Sequence, residues 1–292
     1  MGALITAEFR KILTTKLWWA LLIPAVALAF GWSFVASLLT TSIAQAVKDD
    51  PTFQQAQLTF QDAPWSVIAL SRAINISTIF PMLFGALGVS SELHRRTITT
   101  SFLTASSRSA LLSAKAATYL VWGIGYGIVI AGFAMLGTLA GSHGNYLPDA
   151  GGFLLIALAG ILSAVLWTML GLGVGALLGS TTGSIVSLII YAVIAEPIID
   201  LFLHNHVAGS LPNGSADGLT GSTAAQVIID HLHSPNLSLL PQDAIDALYN
   251  VIRVSAGALG AFTWWASGLI FLAWTLAFFL TGMLINRQRD IT

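Results

Sequence analysis

The stretch Ser91-Glu92-Leu93-His94-Arg95-Arg96-Thr97-Ile98-Thr99-Thr100-Ser101-Phe102-Leu103-Thr104-Ala105-Ser106-Ser107-Arg108-Ser109-Ala110-Leu111-Leu112-Ser113-Ala114-Lys115 decides how the rest of the chain is read. It is a charged, hydroxyl-rich island between two long apolar runs, and it carries four of the chain's 12 lysines and arginines. An Arg or Lys at the centre of a bilayer costs about 2.5–3.5 kcal/mol on an insertion scale, so the island cannot lie in hydrocarbon. Ile98, Phe102 and Leu103 still give it one apolar edge at helical spacing, with Arg95 and Arg96 at its start. The stretch reads as a short helix on the membrane surface, open to a soluble partner. It is the point at which something outside the chain pushes on the chain.

Composition fixes the class around it. Of 292 residues 55% are hydrophobic and 9% charged, with a mean hydropathy of +0.81. A soluble domain carries about 25% charged residues, so this is an integral membrane protein. Its length allows several spans of about 20 residues and no large soluble domain besides. With no Cys, disulfides and thiolate metal sites are excluded. None of Lys11, Lys16, Lys48 and Lys115 follows a glycine, so no P-loop of the form G-x-x-x-x-G-K-S/T exists. If ATP drives this protein, another polypeptide must bind it. No Ser/His/Asp or Cys/His set, no paired carboxylates and no zinc pattern share a plausible location. The chain is therefore expected to be no enzyme, to hold no cofactor or metal of its own, and to bind membrane lipid and no nucleic acid.

Taken in order, residues 1–16 form an amphipathic N-terminal helix, with Ile5, Phe9, Ile12 and Leu13 on one side and Glu8, Arg10, Lys11 and Lys16 elsewhere. The apolar run 17–39 exceeds the ~7–15 residues of a secretory signal core and is long enough to span. Trp18 and Trp19 at its mouth read as interface anchors, as do Trp264 and Trp265. Further spans are expected at 73–89, kinked by Pro81, and at 116–140, 153–178, 185–203 and 263–285. Gly171, Gly175 and Gly179 line one face of the fourth span and suit close helix packing, within the subunit as the plainer reading or along a dimer interface as the alternative. Between the last two spans, 204–258 is polar, with an amphipathic stretch around Ile245, Leu248, Tyr249 and Ile252. The expected fold is one all-α integral membrane domain over 1–292. It comprises a six-helix bundle with an N-terminal amphipathic helix, a cytoplasmic helix in 91–115 and an external helical segment before the last span.

Six spans put both termini on one side. That side carries Arg10, Lys11, Lys16, Arg95, Arg96, Arg108, Lys115, Arg287 and Arg289, against Lys48, Arg72 and Arg253 on the other. By the positive-inside rule the termini and the island are cytoplasmic. Glu196, before Pro197 in the fifth span, has Asp200 one turn further on the same face. Two readings stand: a polar or proton-carrying group on a translocation path, or a carboxylate that only caps or orients its helix. With Glu196 and Asp200, Trp18 and Phe80 are the candidate path residues. His204, His206, His231 and His233 could converge on a metal, but loop filler is the plainer reading.

These features resemble the membrane permease subunits of ATP-binding-cassette exporters, specifically the type 2 permease group common in bacteria and frequent in actinobacteria. Members tend to show Ser-Glu, a basic stretch, Thr, a hydroxyl-rich helix, then Ser-Arg and a Lys. Here these are Ser91-Glu92, Arg95-Arg96-Thr97, Thr99 to Thr104, Ser107-Arg108 and Lys115, and Ala7-Glu8-Phe9-Arg10-Lys11 matches the family's N-terminal pattern. Arg96 stands where a Gly often precedes the Thr, and Ser106 where a Pro is frequent. The resemblance implies that the island is a coupling helix docked in a cleft of a separate ATP-binding-cassette ATPase, which holds ATP and Mg. It also implies a second permease, identical or not, with the path between the two. The ATPase-coupling residues would be Glu8, Arg10, Lys11, Glu92, Arg95, Arg96, Thr97, Ile98, Phe102, Leu103 and Arg108. An ion-coupled secondary transporter using Glu196 and Asp200, or a non-transporting scaffold, are the alternatives.

Overall fold

A backbone in hydrocarbon must satisfy its own hydrogen bonds, and a helix does this within one segment. In the computed structural model, which describes residues 2–49, 63–97, 107–202, 207–232 and 242–288, every regular element is helical. Six helices are long and apolar enough to cross a membrane, so the all-α bundle holds. The amphipathic helix α1 is Gly2–Thr14, and the first span is α2, Leu17–Asp49. The second span is α3, Ser66–Ser77, followed by α4, Ile79–His94. The third is α5, Arg108–Ser142, and the fourth α6, Ala150–Leu178. In the fifth, α7, Thr181–Ile189, leads through a π turn, Ile190–Ala195, into α8, Glu196–Phe202. Then come α9, Pro212–His231, and α10, Gln242–Ala256, before the sixth span, α11, Trp264–Gln288.

Interruptions in the helices have local causes. Pro81 lacks the N–H that would bond to Ser77, and the second span breaks at Thr78, whose N–H falls back on Asn75 and Ile74. Pro197 likewise follows the widened π turn. Caps are explicit where new helices start: Ser107 accepts from Ala110 N–H, Asp149 from Gly152 and Ser180 from Gly183.

The fourth span is the axis of the bundle. On one face Gly171 and Gly175 meet the backbone of α4, and a Cβ at Gly171 would overlap the Met82 carbonyl. On the other face Gly173 meets the backbone of α11 at Phe278 and Phe279. Without a hydrophobic drive between helices in lipid, such close approach is what holds them. Gly179 has a different role: it ends α6 with a left-handed φ of 65°, accepted without strain because it has no side chain.

Much of the polar segment before the last span is drawn into the bundle. Helix α9 buries small residues, among them Gly218, Thr220, Gly221 and Ala224, and packs on α3, α6 and α11. Arg72 is where a charge would be expected to end a span, yet α3 runs through it. Its Nε and Nη2 donate to the Ser255 and Val254 carbonyls at the end of α10, 2.9 and 2.6 Å away. A cation on the free carbonyls of a helix end offsets its own desolvation.

Candidate functional site

Four charges from three elements meet where α1 lies against the end of α4 and the start of α5. Lys115 Nζ lies 2.6 Å from Glu8 Oε2, 2.9 Å from Glu92 Oε1 and 3.4 Å from the Gly88 carbonyl, so each of its three protons has an acceptor. Lys11 Nζ closes the group, 2.7 Å from Glu8 Oε1 and 2.8 Å from Glu92 Oε1. Lys115 is 1% exposed, Glu8 and Glu92 are buried, and Lys11 forms the rim. Two cations and two anions leave no net charge, the condition under which such a set can be held away from water. Burial works to raise the Glu8 pKa, but the Lys115 and Lys11 ammonium groups outweigh it and hold the carboxyl below its ordinary 4.5.

The site revises two expectations. On α1 the buried stripe is Glu8 and Ile12, whereas Leu13, assigned to the apolar side, is 55% exposed. Glu8 faces inward to Lys115 and Leu13 faces outward. Lys115 itself, counted among the charges of a surface island, is inside the protein, because α5 already begins at Arg108. Sequence reasoning missed it as a partner of Glu8 and Glu92. The available signal was Glu8 and Glu92 lying among the basic residues of that side.

Beside the cluster, α4 ends in a Schellman turn: Thr97 N–H donates to Glu92 O at 3.0 Å and Arg96 N–H to Leu93 O at 3.1 Å. Arg96 takes the left-handed position at φ 57°, where the residue type without a Cβ is the usual occupant. Of the other candidate coupling residues, Arg10 and Arg95 are exposed, Thr97 belongs to the turn and Arg108 opens α5. Ile98, Phe102 and Leu103 lie outside the described residues.

The candidate path residues fall into two groups: Trp18 and Phe80 pack on one hydrophobic cluster, while Glu196 and Asp200 both lie near Tyr191. Trp18 is half-buried, 5.7 Å from Trp122, and its carbonyl accepts from the Tyr126 hydroxyl at 2.6 Å. Phe80 is half-buried against the core. Glu196 is buried and reaches another helix: Oε2 accepts from Asn213 N–H at 2.9 Å and Oε1 from Gly214 N–H at 2.7 Å. Leu211 gives α9 no side-chain cap, so a carboxylate from the fifth span satisfies the first turn in its stead. Asp200 Oδ1 has no hydrogen-bond partner among the described residues. His231 bonds the Val227 carbonyl, while His204, His206 and His233 lie outside the described residues.

A bundle of six apolar helices, tied at one end by an internal charge cluster, is a multi-pass membrane protein. Residues 3–291 match the family described as ABC-2 family transporter protein, and the chain belongs to that family. No curated protein matches it.

Proposed function

We propose that the chain is the permease subunit of an ATP-driven exporter of the cytoplasmic (inner) membrane, with both termini in the cytosol. It works with a separate ATP-binding-cassette ATPase, which binds ATP and Mg, and with a second permease. The observation that carries this reading is the ion-pair cluster of Glu8, Lys11, Glu92 and Lys115. Glu92 and Lys115 flank residues 95–107, so a push on that segment reaches both the second and the third span. Lys115 and Lys11 bind α1 into the same unit, so the three elements move together. The cargo is an amphipathic, lipid-like or drug-like compound, in keeping with helix faces that are aliphatic and aromatic with few charges. The engagement of both Glu196 oxygens with α9 favours this reading over a secondary transporter, whose carboxylate must be free to exchange protons.

The test is efflux from cells expressing the chain together with an ATP-binding-cassette ATPase that co-purifies with it. Replacing Arg95, Arg96 and Phe102 together should abolish efflux and leave the folded permease level unchanged. Intact efflux with normal stimulation of the ATPase in that variant contradicts the reading, as does efflux indifferent to ATP depletion.

A further inference from the structure

Between the second and fifth spans, walled by α6 and α9, lies a pocket of about 160 Å3. That is room for a group on the order of five to ten heavy atoms. Its polar wall is made by Arg72, Asn75, Asn213 and Asp217. Its apolar rim includes Ile76 and Val193, which are 39% and 57% exposed on the outer surface of the bundle. Polar inside and apolar at the mouth, it has the polarity of a site for a headgroup whose tail stays in hydrocarbon.

The charges of the wall say which headgroup. Arg72 is fixed by its bonds to Ser255 and Val254 and makes no ion pair with Asp217, although both line the same space. Asn75 accepts the Thr220 hydroxyl through Oδ1, while its Nδ2 is buried without any acceptor. That donor has almost no accessible surface and lies against Gly257, away from the pocket, so it takes no part in the wall. One wall thus offers an anion and a cation that are not paired with one another. A purely cationic guest faces Arg72, and a purely anionic one faces Asp217. A guest carrying both charges on a short linker complements both groups.

We propose that this pocket binds the zwitterionic head of an amphiphile, its ammonium on Asp217 and its oxyanion facing the Arg72 charge, with the tail leaving past Ile76 and Val193. The proposal goes beyond the pairing with an ATPase and does not depend on it. It is tested on the full chain alone, in a nonionic detergent, so failure here leaves the ATPase reading standing.

The measurement is equilibrium binding of a labelled short-chain phosphatidylethanolamine, with dodecylammonium, dodecyl phosphate, dodecyl maltoside and tailless phosphoethanolamine as competitors. The zwitterionic lipid should bind at least about tenfold more tightly than any competitor. Weak competition by tailless phosphoethanolamine marks an amphiphile site, whereas competition equal to the lipid's overturns the role of the tail. Asp217→Asn should weaken the lipid and dodecylammonium about tenfold and leave dodecyl phosphate unchanged. Val193→Trp, at the exposed mouth, should block the lipid while leaving the thermal midpoint unaltered. Lipid binding that survives Val193→Trp, or that dodecyl maltoside matches, overturns the proposal.

Discussion

Lys115 and Glu8, 107 residues apart in sequence, are joined by a contact of 2.6 Å in the interior of the protein. The pair makes a surface helix part of the bundle. It also sets an asymmetry familiar from buried charges: the whole group adds little to stability over an apolar substitute, but losing one member is severe.

Lys115→Met should therefore destabilise the chain by about 3–5 kcal/mol, because Glu8 and Glu92 are left to share Lys11. The thermal midpoint in detergent reports it. Adding Glu8→Gln and Glu92→Gln to Lys115→Met should recover most of the loss, and purely additive losses would refute the coupling.

The same tie has a defined response to pH. The folded pKa of Glu8 is depressed, so its contribution is complete above the ordinary value of 4.5 and disappears only as pH falls through the lower folded value. A nitroxide at Leu13→Cys, unambiguous in a chain without Cys, should keep its mobility from neutral pH down past 4.5 and gain mobility only below. Release at about pH 6 is incompatible with a depressed carboxyl.

Arg96 offers a backbone test. Arg96→Gly and Arg96→Ala remove the same side chain, so their difference isolates the left-handed φ of 57°. The glycine variant should be the more stable by about 1 kcal/mol in thermal unfolding. Equal midpoints would mean that the turn relaxes once the arginine is gone.

Glu196 holds α9 from outside. Glu196→Ala should cost about 1–3 kcal/mol and speed hydrogen exchange at the Asn213 and Gly214 amides, with Glu196→Gln in between because one acceptor oxygen remains. Unchanged exchange in the alanine variant would show the first turn of α9 to be capped by other means.

Long apolar runs made the six spans legible, since bilayer thickness fixes their length and lipid removes any alternative to helix. Gly171 and Gly175 could be read as a packing face from spacing alone, and Ser107 sits at a helix start as a small hydroxyl residue should. Lys115 could not be assigned to the interior, because hydropathy counts a paired lysine the same as a solvated one. Arg72 misled in the same way until the end of α10 was seen to receive it. The inward turn of α9 was hidden because Gly, Ser and Thr look like loop when their partners are unknown, yet they are the residues that close helix contacts require. The substitution at Arg96 had a visible trace: it occupies the place where the resemblance calls for Gly, and the left-handed backbone supplies the reason.

The central claim is that the Arg95 end of the bundle faces the cytosol and meets an ATPase. Arg95→Cys, on an exposed residue beside the charge cluster, can be treated in intact cells with a permeant bifunctional thiol–amine reagent and with an impermeant maleimide. The account requires a cross-link to a nucleotide-binding polypeptide and no labelling from outside. Labelling by the impermeant reagent with no cross-link would contradict it.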